Sequence, residues 1–281
     1  MNLAFDQLAA DPIFIVGAAR SGTTWVYDMF SAHPQVAGIY ESWLFTKNDG
    51  LGSLFSKAHW PPKYSGLGRL LNRDDLLEHT RDAAMRIMSH AIKPQHRYLI
   101  EKSPSHLFVM PLISEIFPGA RFIHVVRDGR DVSVSVRAAS RSWAQAWRRT
   151  FGLSIRTSAF AWKNAIRRAR RDGRDLGERF FEIRYEEISE DPFNAYRQLF
   201  DFCDLPYDDD ILQHIFHVTD FARNYKPKET GFRRGGRIGD WRTHFSLTDA
   251  LIFNLEAGNM LVELGYEKNR RWVLQNFQAL R

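Results

Sequence analysis

Residues 12–25 read Pro12-Ile-Phe-Ile-Val-Gly17-Ala-Ala-Arg20-Ser-Gly22-Thr-Thr24-Trp25. The β-branched run closed by Gly17 predicts a short buried strand. From Ser21 to Ala32, Trp25, Met29 and Phe30 recur at helical spacing and predict a helix. Between them lies a glycine-bounded turn with the frame G-x-x-x-x-G-x-T. Strand, glycine turn and helix start, in that order, are the context of a phosphate-binding loop. Successive backbone N–H groups and the helix N-terminus can then surround an anion. Thr23 and Thr24 add hydroxyl donors. A nucleotide-triphosphatase loop carries lysine directly after the second glycine, and Thr23 stands there instead. The cation of this loop is Arg20, which removes the main residue of an ATPase or kinase reading. The plain alternative is a glycine turn that holds nothing.

The same alternation continues outward. Asp74 to Ala91 predicts a helix, with Asp74 as a cap. Tyr98 to Glu101 predicts a strand, and His106 to Phe117 a helix stopped by Pro118-Gly119. A clear strand runs from Arg121 to Arg127, followed by a helix from about Asp131. Residues 141–172 form a long arginine-rich helical stretch. A strand at Phe180 to Tyr185, a helix at Pro192 to Phe202 and a last helix at Thr248 to Leu264 complete the pattern. Such alternation implies an α/β fold with a mostly parallel central sheet flanked by helices. Ligands of such sheets sit beyond the carboxyl ends of the strands. The best three ends, Gly17, Glu101-Lys102 and Arg127, all run into charged or glycine-rich residues. Residues 46–73 read as an irregular insertion or lid and residues 222–245 as a glycine- and arginine-rich loop. The whole of 1–281 reads as one domain.

The 281 residues are 44% hydrophobic and 14% aromatic, which suits a folded globular chain. No stretch approaches the roughly 20 apolar residues of a membrane span, and the N-terminus lacks the pattern of a secretory signal. The single Cys203 excludes an internal disulfide and a cysteine-built metal site, and fits a reducing, cytoplasmic setting. Lysine and arginine outnumber acids 39 to 33, a net +6 that suits an anionic ligand. A solvated helical face accounts for the arginines of 141–174 equally well. His33 and His124 read as structural.

A second phosphate site is suggested by Arg127 at a strand end and Ser135 in the following helix, which can converge on one phosphate. Arg130 and Asp131 read as a local ion pair at the helix start. Together these segments resemble the sulfotransferases that use 3′-phosphoadenosine-5′-phosphosulfate (PAPS). The arginine form of the loop is similar to the bacterial and tyrosylprotein branches. The resemblance implies a three-layer sandwich of the phosphate-loop type. It implies Gly17, Ala19, Arg20, Ser21, Gly22, Thr23 and Thr24 around the 5′-phosphosulfate, Arg127 and Ser135 on the 3′-phosphate, and Tyr185 toward the adenine. The segment Phe232 to Thr243 resembles the C-terminal cofactor loop, with Arg234 and Gly236 in register. Gly235 stands where lysine is usual there, so Arg233 or Arg237 is an alternative cation.

Sulfuryl transfer depends on positioning and positive charge at a loose transition state. Arg20, and Lys102 in Lys102-Ser-Pro104, are the candidate stabilisers of the leaving group. Cytosolic members place a histidine two residues after the lysine, where this chain has Pro104. The tyrosylprotein and carbohydrate branches carry a basic-catalyst glutamate just beyond the first helix, so the resemblance implies Glu41 as general base, with His106 in reserve and pairing of Glu41 to Lys47, or a cap, as the plain alternative. Trp43, Phe45, Trp60 and Tyr64, with His106, are candidates to contact an acceptor. The resemblance implies the product adenosine 3′,5′-bisphosphate (PAP), no metal, and no nucleic-acid partner. A small molecule, carbohydrate, lipid or peptide hydroxyl or amine is the acceptor. A nucleotide kinase or NTPase, or a nucleotide- or RNA-binding protein without catalysis, are the competing readings.

Overall fold

A computed structural model describes residues 3–58, 66–150, 154–219 and 236–277. Its centre is a five-stranded sheet: β1 (Ile13–Gly17), β2 (Val36–Tyr40), β3 (Tyr98–Lys102), β4 (Arg121–Val126) and β5 (Phe180–Arg184). The order is β2-β3-β1-β4-β5, and every pairing is parallel. Among the described residues, eight helices of seven residues or more pack around it: α1 (Thr23–Ser31), α2 (Arg73–Met88), α3 (Met110–Ile116), α4 (Gly129–Arg141), α5 (Ile155–Leu176), α6 (Pro192–Phe202), α7 (Asp209–Thr219) and α8 (Leu247–Glu263).

β1 shows why the sheet is a middle layer. Its burial is complete along its length. Ile13 and Ile15 pack in one core with Val26, Phe30 and Leu199, while Phe14 and Val16 face a second core with Trp162 and Phe253. Side chains alternate across a strand, so a strand covered on both faces must be apolar throughout. α5 buries Ile155, Ala159, Trp162, Ile166 and Ala169, spaced three or four apart, and leaves much of its arginine content outside. Its N-cap is Ser154, whose side chain accepts from the Thr157 N–H.

Several elements differ from expectation. β2 was not anticipated. Val36-Ala-Gly-Ile-Tyr40 carries an alanine and a glycine and starts a few residues after α1 ends, so it lacks a β-branched run. The described part of the stretch 141–172 is not one helix: α4 ends at Arg141, and Trp147–Thr150 and α5 follow. Asn72, not Asp74, caps α2 by accepting from the Asp75 N–H. His106 belongs to a 3-10 turn, Pro104–Val109, that precedes α3. The expected Arg130–Asp131 pair does not form. Arg130 is held by Asp128 and Glu267, between the rings of Trp241 and Trp272, and Asp131 serves another purpose described below. Residues 46–58 hold a short helix, Gly52–Lys57. Trp60, Tyr64 and Arg234 lie outside the described residues. No described helix is long and apolar enough to cross a membrane.

Candidate active site

All five strands end on one side of the sheet, and each delivers a candidate residue there. Arg20 follows β1, Glu41 follows β2, Lys102 ends β3, Arg127 follows β4 and Tyr185 follows β5. A cavity of about 1160 Å³ opens over these ends. β1 sits between β3 and β4, where the chain path reverses across the sheet, the position at which parallel sheets bind ligands.

The loop 17–24 wraps the mouth of β1. A Cβ on Gly17 would lie 2.7 Å from the Val125 carbonyl and 2.8 Å from Ser21 Oγ, so only glycine fits. Gly22 has φ 104° and precedes α1; a Cβ there would meet the Tyr185 ring at 2.4 Å. Arg20 is itself left-handed, at φ 73°. Its Nε donates to Ser135 Oγ at 3.0 Å, so the loop cation reaches across to α4. Ser21 Oγ and Arg127 Nε are buried without a hydrogen-bond partner. Buried polar atoms are almost always satisfied. Two orphaned donors beside a helix N-terminus fit an anionic group such as phosphate or sulfate. Arg127 otherwise lies over the Tyr185 ring, 4.2 Å from its centroid, and donates to the Arg237 carbonyl at 2.9 Å.

The C-terminal segment closes this end. Tyr185 Oη donates to the Gly236 carbonyl at 2.8 Å. Asp131 accepts from the Gly239 N–H at 2.8 Å and the Trp241 N–H at 2.9 Å. Burial, with Asp128 beside it, pushes the Asp131 carboxyl above its ordinary value. Gly236 and Arg237 both line the cavity.

On the other flank, β2 and β3 are in register with Tyr40 opposite Lys102. The Glu41 N–H continues the ladder to the Lys102 carbonyl at 2.7 Å. That register puts the Lys102 ammonium 2.6 Å from Glu41 Oε1 and 3.3 Å from Thr24 Oγ1, over the Tyr40 ring. Lys102 is fully buried, whereas the Glu41 side chain is 33% exposed and lines the cavity. Glu41 pairs with Lys102, not Lys47. Glu41 (φ 48°) and Trp43 (φ 52°) are both left-handed. With Arg20 they make three of the four non-glycine residues of positive φ among those described. Each such residue costs roughly 1–2 kcal/mol, and strain of this kind clusters where side chains must be presented in one pose.

A buried network holds that strained segment, and the sequence did not reveal it. Glu101 Oε1 accepts from Ser42 Oγ (2.8 Å), the Ser42 N–H (3.2 Å) and Ser103 Oγ (2.6 Å). Its Oε2 is 2.8 Å from His106 Nδ1. The Phe45 N–H donates to His106 Nε2 at 3.3 Å, so the ring proton is on Nδ1. Burial pushes the Glu101 carboxyl up, but the bonds from His106, Ser103 and Ser42 outweigh it and hold the carboxyl below its ordinary value. Phe45 and His106 were expected against an acceptor. Both are fully buried, in contact with Phe14, and neither lines the cavity. Both His106 nitrogens are engaged inside the protein, which takes the ring away from a base's position. Trp43 does line the cavity. Among the described residues no cluster of three or more histidine, cysteine or acidic side chains is arranged to hold a metal ion.

The chain matches known proteins over most of its length. A sulfotransferase of mouse, solved complexed with PAP, superposes with a TM-score of 0.57 at 16% identity, over 98% of this chain and 92% of that one. A protein-tyrosine sulfotransferase of Danio rerio is 28% identical over 72% of this chain and 55% of its own length. An omega-hydroxy-beta-dihydromenaquinone-9 sulfotransferase of Mycobacterium tuberculosis is 25% identical over 79% and 71%. The chain spans about half the length, or less, of four of the protein-tyrosine relatives it matches. The model of the sulfotransferase family matches residues 12–209, from the first strand to the start of α7 and so through every strand of the sheet: the chain belongs to the sulfotransferase family.

Proposed function

We propose that this protein transfers a sulfuryl group from PAPS to a hydroxyl acceptor. The observation that carries the reading is the Glu41–Lys102–Thr24 contact at the foot of the loop 17–24. It sets a carboxylate, an ammonium and a hydroxyl beside one anion cradle. PAPS, when bound, supplies an activated sulfuryl group and a phosphate leaving group on which negative charge grows.

The chain's own residues supply the rest. Backbone N–H groups of 20–24 and the α1 N-terminus hold the 5′ end. Arg127, with Ser135 on α4, holds the 3′-phosphate, and Tyr185 flanks the base with Gly236 and Arg237 above. By the resemblance Arg234 joins them, with Arg233 or Arg237 as the alternative cation. Arg20 and Lys102 set positive charge where the leaving oxygen develops, and neither needs to lose its proton for this. Glu41 accepts the acceptor's proton. Lys102 holds Glu41 through one oxygen and fixes its orientation.

Glu41→Gln keeps the shape of the side chain and removes the base. Turnover with PAPS is expected to fall by about a hundredfold or more, while calorimetric PAP affinity stays within about twofold of wild type. Loss of PAP affinity instead would make Glu41 part of the fold of the cradle. Tighter binding of magnesium–ATP than of PAP by the unmodified protein would return the site to a phosphotransfer reading.

A further inference from the structure

The cavity has two chemically different ends. One is the anion cradle already described. The other is walled by Trp43, Phe108, Trp143, Trp147 and Phe160. These rings come from four separate pieces of chain: the segment after β2, the 3-10 turn 104–109, the stretch 142–150 and α5. Four of them stay substantially exposed: Trp43 56%, Phe160 52%, Phe108 47% and Trp143 38%. Exposing one large ring is ordinary, but several converging on one hollow mark a binding surface. The wall is continuous with the site: the Arg20 guanidinium lies 5.9 Å from the Trp143 ring, which packs edge-on against Trp147 at 5.2 Å.

Among the described residues, several polar groups at this end are engaged within the protein, and Asn164 and the exposed Arg156 stand apart from them. Ser158 Oγ bonds to Ser133 Oγ at 2.9 Å, and Thr157 Oγ1 to the Ser154 carbonyl at 3.0 Å. Glu256 takes Lys163 at 2.5 Å and has Arg156 at 3.9 Å. A sugar brings many hydroxyls that each need a partner, and an acidic peptide brings carboxylates that need unengaged cations. An apolar body loses nothing by entering, and it covers the rings.

We infer that the acceptor is an apolar alcohol or phenol: one hydroxyl, directed at Glu41, on a ring system or hydrocarbon chain that lies against Phe108, Trp143 and Phe160. This rests on the sulfuryl-transfer reading above. It ranks an acidic tyrosine peptide and a saccharide below such an acceptor. In the transfer, the acceptor oxygen bonds to sulfur as the bond from sulfur to the phosphate oxygen breaks. Glu41 takes the hydroxyl proton, and the released phosphate carries away the electron pair.

The test uses PAPS labelled in its sulfate with four acceptors: 2-naphthol, dodecanol, lactose and an acidic tyrosine-containing peptide. Transfer to 2-naphthol or dodecanol is expected at a kcat/KM about tenfold or more above that of the other two. Phe160→Ala and Phe108→Ala truncate exposed rings, and each is expected to raise KM for the favoured apolar acceptor about fivefold or more with PAP affinity unchanged. Preference for lactose or the peptide overturns the inference, and so does an unchanged KM in both ring variants. PAP binding is measured calorimetrically on the same samples. If PAP binds and neither apolar acceptor is sulfated, the acceptor class is wrong and the donor site stands. If PAP does not bind, the donor reading fails and the inference falls with it.

Discussion

Single residues divide here into those that touch the cavity and those that hold them. Arg127 belongs to the first kind. It is buried, lies on the Tyr185 ring and has an unpartnered Nε. Arg127→Ala is expected to weaken PAP by about tenfold or more, the scale of a lost charge-assisted bond, and to leave adenosine 5′-phosphate nearly unaffected. Equal losses for both nucleotides in calorimetry would remove Arg127 from the 3′-phosphate. Glu101 belongs to the second kind. It never reaches the cavity, yet three of its four short contacts end on Ser42 and His106, the residues that pin the segment 41–45. Glu101→Gln keeps the volume and replaces an ionised acceptor by a neutral amide. Because that segment carries Glu41 and Trp43 in left-handed conformations, kcat is expected to drop about tenfold while PAP affinity holds. A fall in PAP affinity of the same size would show that Glu101 merely supports the whole sheet end.

At the scale of elements, the turn between β1 and α1 does the most for its length. Gly22 and Gly177 both have positive φ, but their surroundings differ. A Cβ at Gly177 meets nothing within 4 Å, whereas one at Gly22 strikes the Tyr185 ring. Gly177, at φ 56° and ψ −127°, lies outside the left-handed helical region in a conformation that L side chains avoid, so Gly177→Ala is expected to lower Tm through backbone strain alone, with PAP affinity intact. Gly22→Ala must displace Tyr185, which carries Arg127 and holds Gly236, so it should abolish PAP binding as well. Thermal unfolding with and without PAP separates the two; equal behaviour would break the link between loop and Tyr185. β1, its loop and α1 were legible in the sequence because strand, turn and helix each carry a local signal. So were β3, β4 and β5, with their charged ends. β2 was not, for want of β-branched residues, and with it went the register that sets Tyr40 beside Lys102. Glu41 entered the sequence reading through the family resemblance, but its pairing with Lys102 depends on that register. The Glu101–His106 network is equally non-local: His106 lies near Glu101 in sequence, but Ser42 and Phe45 reach it only through β2. The aromatic wall joins segments from Trp43 to Phe160, a separation no periodicity reports.

Taken whole, the molecule gathers its candidate site at the carboxyl ends of the sheet and carries an electrostatic clasp along β5. Glu182 on β5 meets His124 on β4 at 3.0 Å and a forked Arg170 from α5, with a shortest contact of 2.6 Å. Arg170 also reaches Glu263 on α8 at 3.0 Å. One carboxylate thus joins two strands and a helix, with a second helix tied on through the same arginine. Burial pushes the Glu182 carboxyl up, but hydrogen bonds and charge from His124 and Arg170 prevail and hold it at about 2, against an ordinary 4.5. A carboxyl whose value is depressed by folding stabilises the fold above its unfolded value, and the effect fades as pH falls toward the folded one. Here the contribution is complete above about pH 5 and lost between roughly 4.5 and 2. A displacement of this size corresponds to something on the order of 3 kcal/mol. Glu182→Gln should therefore lower Tm clearly at pH 7, and the gap from wild type should narrow steadily as the pH is taken from 5 down toward 2. The site lies at the strand ends, away from this clasp, so PAP affinity at pH 7 should match wild type well below the variant's Tm. A Tm gap that stays constant across that acid range would mean that Glu182 contributes packing and not charge.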